Sequence, residues 1–347
     1  MKRAVLALLA ALLCLGAAAQ TGAREDSFDY DIRELRNSIA PDFSYEYGNW
    51  IQYFSGAAVW GLKACGVPSR SNWGQMAVAH AGGAVASLIL DHGPKWVIDR
   101  MRPDGSRANS FPSGHTTTAF LTATWLQKEY GDRLPWLCGI GYGVATLTAQ
   151  HRILRNKHWA TDTMAGAVFG VAAAELGYWL SDIILGRHDY RLFEEFCYDA
   201  TLEYWDVYYW FGRKVGLGND GHGSSVNLQL QAPLTPEWSL AVRGTAEYIG
   251  DFYGDAAAYF VLAGGNWSFL QKGRFGMDAH ALAGAAFRSG STGLDLTAGL
   301  SADYALTGIG KVRALAEWEG LSYPPAGSSR SRWMNSINLG LGGVIYF

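Results

Sequence analysis

The last sixteen residues read Arg332-Trp-Met-Asn-Ser-Ile-Asn-Leu-Gly-Leu-Gly-Gly-Val-Ile-Tyr-Phe347. Every second residue falls on one face: Trp333, Asn335, Ile337, Leu339, Leu341, Gly343, Ile345 and Phe347. The other face carries Arg332, Ser336, Asn338, Gly340 and Gly342. A period of two, with apolar side chains on one side, is the pattern of a β-strand whose two faces meet different surroundings. The same alternation recurs in Val226–Gln231, Trp238–Tyr248, Phe275–Arg288, Leu294–Tyr304 and Val312–Glu319. Tyr259–Leu270 and a weaker run at Tyr204–Phe211 bring the expected number of strands to about eight. Runs near ten residues long, separated by turn residues, are the signature of a transmembrane β-barrel. A soluble sandwich also alternates, but its strands are seldom this long. Eight strands enclose a lumen filled by side chains, so Arg243, Glu247, Asp278, Arg288, Asp295, Arg313 and Glu317 are expected to pair inside it. Trp and Tyr near the strand ends suit the two bilayer interfaces.

Upstream the period changes. From about Tyr47 to Gly186 the apolar residues form helical blocks at Trp50–Cys65, Trp73–Leu90, His115–Tyr130, Trp136–Gln150 and Asp162–Leu185. None offers about 20 apolar residues free of charge, and Glu175 interrupts the longest. The expected architecture is therefore α+β and multidomain. An all-α helical bundle at 20–195 precedes an antiparallel, about eight-stranded transmembrane β-barrel at 200–347.

The N-terminus reads as an address. Lys2 and Arg3 lead into the apolar run Ala4–Leu15 and then Ala17-Ala18-Ala19, the pattern of a secretory signal peptide spanning 1–19. The run is short for a bilayer-spanning helix, and the bulky Leu13 before Cys14 argues against lipoprotein processing. Removal of the signal leaves Cys65, Cys138 and Cys197, so at most one bridge forms and its pairing is open. Only 17% of the 347 residues are charged, against roughly 25% in ordinary soluble usage. With 14 Trp and 43 Gly, this composition excludes a disordered chain and a coiled coil. A net charge of −3 without a basic run argues against nucleic acid as a partner. The mean hydropathy of −0.01 is low for a polytopic helical membrane protein and leaves strands as the device that reaches a bilayer.

Three short segments of the helical half concentrate polar groups. In the first, Gly93-Pro94 reads as a helix start, after which Lys95 and Arg102, seven apart, share one helix face with Asp99 between them. In the second, Phe111-Pro112-Ser113-Gly114-His115 opens a helix whose free N–H groups can receive an anion. In the third, Arg152 precedes His158 and Asp162, which are four apart and expected to hydrogen-bond on a helix face. Three cations and a nest of N–H groups suit a tetrahedral oxyanion such as phosphate. A histidine backed by a carboxylate is a nucleophile, and a second histidine is an acid for the leaving oxygen. Arg and Lys can stabilise the equatorial charge, so neither a metal nor another cofactor is required. His80 reads as a satisfied core histidine, Arg155 and Lys157 as surface charges, and Trp159 as a packing residue.

Lys-x6-Arg-Pro, Pro-Ser-Gly-His and Arg-x5-His-x3-Asp, in this order over about residues 73–183, resemble the type 2 phosphatidic acid phosphatase family, which shares its site with vanadium haloperoxidases. The resemblance implies that His158 becomes a transient phosphohistidine, Asp162 orients it and His115 protonates the leaving group. It implies that Lys95, Arg102, Arg152, Ser113 and the Gly114 amide hold the phosphate. His151 is a departure, because the family usually places Ser before the Arg. The expected function is a phosphomonoesterase or pyrophosphatase on a membrane-lipid phosphate or a small phosphate ester. The barrel would hold it in the outer membrane, among outer-membrane lipids, with the catalytic domain in the periplasm. The alternatives are a vanadate-dependent haloperoxidase and a non-catalytic structural or adhesion barrel.

Overall fold

A computed structural model describes residues 28–186, 205–217, 221–249, 257–288, 291–307, 310–323 and 332–346. The signal peptide at 1–19, Cys197 and Phe347 lie outside the described residues. Seven helices and eight strands are described, and they divide into two compact units.

The helical unit contains α2 (Gly48–Ile51), α3 (Phe54–Ala64), α4 (Trp73–Val97), α5 (Gly114–Tyr130), α6 (Pro135–Leu154) and α7 (Ala160–Leu185). The block expected at Trp50–Cys65 is thus two helices. Asn72 caps α4 through the Gln75 amide, and Gln75 returns the bond to Asn72 N, a reciprocal pair that marks a helix start. Pro94 lies inside α4 near its C-terminus, which corrects the reading of Gly93-Pro94 as a start. The Lys95–Asp91 pair and the bond from Ile98 N to Pro94 O (2.7 Å) finish the turn around the proline. α4 ends at Val97, so Arg102 stands in the following loop and not on a helix face with Lys95.

α7 is the helix against which α4 and α5 close. A Cβ on Gly177 would lie 2.2 Å from Ala79 O of α4, and one on Gly170 would lie 2.4 Å from Thr117 O of α5. Backbone contacts this close require glycine and hold the start of α7 against the start of α5. By length and composition α4 and α7 are apolar enough to cross a membrane, although α4 carries Asp91 and α7 carries Asp162, Glu175 and Asp182. Val85, Leu88 and Ile89 on α4 and Leu176, Ile183 and Ile184 on α7 are exposed. His80 packs as expected, stacked on Trp125 at 4.1 Å and bonded to Tyr178 Oη at 3.2 Å. Cys65 and Cys138 are free thiols.

The other unit is a closed antiparallel barrel of β1 (Asp206–Gly216), β2 (His222–Pro233), β3 (Trp238–Tyr248), β4 (Ala258–Lys272), β5 (Phe275–Arg288), β6 (Ser291–Thr307), β7 (Gly310–Tyr323) and β8 (Arg332–Tyr346). β1 pairs with β8 and closes the sheet, so no edge remains. The alternation resolves as expected: Leu228, Leu230, Leu240, Val242, Leu300 and Leu339 point outward and are exposed, while Asn227, Gln229, Arg243, Ser301 and Asn338 are buried inside. Trp238, Trp267, Phe275 and Tyr304 are exposed at one rim, and Tyr259, Phe287 and Trp333 at the other.

Six of the seven expected lumen charges are buried; Arg288, at a strand end, is half-buried. Arg313 bonds to Asp303 (2.6 Å) and Asp278 (2.8 Å), and Arg243 bonds to Glu317 (2.9 Å), which also meets His280 (2.8 Å). Lys214, bound by Glu247 and Glu319, escaped the sequence reading because Gly212-Arg213-Lys214 interrupts the apolar alternation, and β1 runs on past Phe211 to Gly216. Trp210 fills the lumen against β8, where a Cβ on Gly340 would meet its ring at 2.4 Å.

One helix does not follow the expected division. α1 (Phe28–Ile39) belongs with the barrel, although its residues fall in the range expected for the helical bundle. It lies on the outer wall: Phe28 meets the outward-facing Phe211 edge-on at 5.9 Å, and Asp31 pairs with Arg213 and with Ser224 Oγ (3.0 Å). Ser38 Oγ accepts the Ala257 amide at 3.1 Å. Arg213 and Ser224 are polar positions on a largely apolar wall, and burial of their polar groups needs such partners.

Candidate active site

Four pieces of the helical unit converge: the last turn of α4, the loop from Ile98 to Pro112, the start of α5, and the end of α6 with the approach to α7. Ser113 caps α5 in an extended conformation and makes no side-chain cap, so the first-turn amides from Gly114 onward face a ligand site, as expected of an anion-binding helix start. Ser113 N donates to Asp162 O (3.1 Å), which ties this turn to α7. The Ser113 hydroxyl accepts from Thr116 Oγ1 (3.0 Å) and keeps its own proton for a ligand.

His158 precedes α7 and is buried; it does not share a helix face with Asp162, because α7 begins at Ala160. Its Nδ1 lies 2.6 Å from the Ser110 carbonyl and 3.8 Å from the Asp162 carboxylate. The expected His158–Asp162 hydrogen bond is therefore replaced by one to the backbone. A carbonyl can only accept, so Nδ1 carries the proton and Nε2 presents its lone pair. Burial holds the imidazole below its ordinary pKa, partly offset by Asp162.

Asp162 supports this arrangement from behind. It accepts from Arg100 (2.6 Å), Ser110 Oγ (2.5 Å) and Trp159 N (2.9 Å). Ser110 thus bridges the two, its hydroxyl to Asp162 and its carbonyl to His158. Arg100 also donates to Thr161 Oγ1 (2.8 Å) and lies over the Trp159 ring, whose Nε1 donates to Met101 O (2.8 Å). Arg100 and Ser110 were not among the expected site residues. Both lie inside the motif span, but only the folded loop identifies their partners.

The cations are not equivalent. Lys95 donates to both oxygens of Asp91 at 2.6 and 2.7 Å. Arg152 is buried and Arg102 half-buried, and neither Nε has a partner among the described residues. Burial, with the charge of Arg102 beside it, pulls Arg152 down to about 10. Arg152 feels the charge of Arg102 more than that of Asp104, and the two Nε groups can receive an anion. His115 feels burial first and then the charges of Arg152 and Lys95, and is held down to about 3. The expected phosphate ligands and both histidines are therefore gathered at one place.

His151, the departure from the family pattern, is turned toward residues 45–48. Its Nε2 donates to Tyr45 O (2.8 Å), and its ring lies on Tyr47 at 4.6 Å and against Gly48. Arg155 donates to Ser44 O, Tyr45 O and Glu46, and Lys157 pairs with Asp104 (2.6 Å), so both brace loops.

Residues 74–184 match the PAP2 superfamily, within one residue at each end of the stretch 73–183 expected from the resemblance. Over 179 residues the chain is 43% identical to a lipid A 1-phosphatase of Porphyromonas gingivalis. That alignment covers 50% of this chain and 40% of the relative, so the chain spans less than half of that protein's length. Among solved structures, a PAP2 type phosphatidylglycerolphosphate phosphatase from Bacillus subtilis is 19% identical, covering 52% of this chain and 96% of its own with a TM-score of 0.38. Neisserial surface protein A is 15% identical, covering 42% and 97% respectively, with a TM-score of 0.31. The helical part of this chain carries a domain of the PAP2 superfamily, at residues 74–184.

Proposed function

We propose that the chain is a metal-independent phosphatase that hydrolyses phosphate monoesters or diphosphates of membrane lipids through a phosphohistidine at His158. The observation that carries this reading is the pair of guanidinium groups, Arg102 and Arg152, whose Nε atoms have no partner among the described residues, beside a neutral histidine whose Nε2 is unprotonated. Lys95, Ser113 and the Gly114 amide complete the cradle. Nε2 of His158 attacks phosphorus, the bond to the leaving oxygen breaks, and His115 delivers its proton to that oxygen. His115 then takes a proton from water, the hydroxide attacks phosphorus, and the P–N bond breaks to release phosphate. His115 is neutral in the empty site, and the negative charge of the bound phosphoryl group supplies the field that protonates it. Asp162 acts through Ser110 and Arg100 and through its charge near the imidazole.

The lipid class is supported by the identity to the lipid A 1-phosphatase and by the barrel. An apolar wall with aromatic rims and a charged lumen is the inverse of a soluble protein and suits a bilayer. In this reading 1–19 is a signal peptide, the barrel at 200–347 sits in the outer membrane, and the helical domain works in the periplasm. Tethering at a bilayer raises the local concentration of lipid substrate.

Rapid quench with ³²P-labelled phosphate ester should trap an acid-labile, base-stable phosphoenzyme in the unaltered chain, in EDTA as well as without it. His158→Ala should trap none and turn over no substrate. Label retained in His158→Ala, or activity that requires a divalent ion, overturns the mechanism.

A further inference from the structure

Asp91 is an acidic residue placed against a site built for anions. Its carboxylate is nearly buried and grips Lys95 with both oxygens, at 2.6 and 2.7 Å. His92 Nδ1 approaches one of those oxygens at 3.2 Å. On the other side stands the Ser113–Gly114 turn: a Cβ on Gly114 would lie 3.0 Å from each carboxylate oxygen. The carboxylate therefore occupies the border between the lysine and the amides that receive the phosphate.

An exposed lysine–aspartate pair four apart on a helix is usually a minor stabilising contact. Here the two side chains are only 19% and 12% exposed, and the lysine belongs to the cradle. An ammonium has three N–H groups. Asp91 takes two of them and leaves one for a ligand, aimed by the grip itself. A phosphoryl group arriving at Gly114 and Lys95 must share the lysine with Asp91, and at hydrogen-bond range unit charges interact strongly.

We propose that Asp91 is a resting counter-ion that competes with phosphoryl oxygens for the Lys95 ammonium, and so limits how tightly the cradle holds phosphate. Asp91 is a positioning residue that acts through Lys95 and takes no proton from the reaction. Its consequence is a cradle that does not trap its own inorganic product. The inference rests on the phosphatase reading above and adds a control of anion affinity to it.

The test is calorimetric titration of the full-length, detergent-solubilised protein with inorganic orthophosphate. Asp91→Asn removes the charge but keeps an oxygen that can accept from Lys95. It should bind orthophosphate about tenfold more tightly, since the Lys95 ammonium no longer shares its charge with a carboxylate. A merely structural role predicts the opposite sign, because a disturbed cradle binds less well. Asp91→Ser provides the same comparison should the asparagine variant fold poorly. In a Lys95→Met background, Asp91→Asn should bring no further tightening. Binding that weakens or stays unchanged in Asp91→Asn, or a gain that persists without Lys95, overturns the inference. If the unaltered chain fails to bind orthophosphate, the phosphatase reading falls and this inference with it.

Discussion

Ser110 holds His158 by its backbone and Asp162 by its side chain: its carbonyl is 2.6 Å from Nδ1 and its hydroxyl 2.5 Å from the carboxylate. The tautomer of His158 is thus set by a group that no side-chain substitution removes. Asp162→Asn should leave Nδ1–H bonded to the backbone. Its main effect should come through Arg100, whose buried charge loses the Asp162 carboxylate. Breaking such a pair from one side costs about 3–5 kcal/mol. Thermal unfolding of the helical unit should therefore drop for Asp162→Asn. The rate should drop too, but not to the floor reached by His158→Ala. Equal and complete loss of turnover in both would show that Asp162 acts directly on the imidazole.

Anion binding should be linked to protonation of His115. In the empty site burial and the charges of Arg152 and Lys95 hold this imidazole at about 3. A bound dianion offsets those charges and raises the value, so the bound form takes up a proton that the free form lacks. Affinity for sulfate, whose own charge is constant above pH 3, should be flat at high pH. It should rise as pH falls through the bound-state pKa, by up to about tenfold per pH unit. His115→Asn should flatten the profile between pH 8 and 5. A rise that survives in this variant would assign the proton to another group.

The pair between Asp31 and Arg213 should stabilise α1 on the barrel wall. Asp31→Asn leaves an outward-facing arginine without its carboxylate and should cost about 1 kcal/mol, between the values for exposed and buried pairs. Arg213→Leu removes the charge altogether, and combined with Asp31→Asn it should recover most of that loss. The temperature at which the barrel shifts mobility on gels reads this out. An additive double variant would mean the two residues do not couple.

The two faces of the barrel should answer differently to substitution. Leu300 is 52% exposed near the middle of β6, and Leu300→Arg should cost roughly 2–4 kcal/mol if it lies at the bilayer midplane. Thr297, buried in the lumen, should tolerate Ser with less effect. Gly340→Ala should cost roughly 1–3 kcal/mol by overpacking against Trp210. Recovery of the chain as a soluble protein, with Leu300→Arg neutral, would remove the membrane from the reading.

The sequence by itself determined the barrel faces, the helical blocks and the three motifs. Strand alternation is a property of covalent geometry: once Leu339 and Leu341 face outward, Asn338 and Gly340 must face inward. The motifs were legible because Lys95, Arg102, His115, Arg152 and His158 lie at spacings that accident seldom produces. Only the tertiary structure decided what those groups touch. The Ser110 carbonyl on His158, Arg100 on Asp162 and Lys214 between Glu247 and Glu319 are contacts across 48, 62, 33 and 105 residues. Local pattern carries no record of such pairings, because they depend on how helices and strands close against one another. Pro94 shows the same limit, since a proline permits both the start of a helix and its last turns, and the surrounding bonds choose. The attachment of α1 to the barrel was equally hidden: its own helical pattern is complete, and the wall that receives it begins at Asp206.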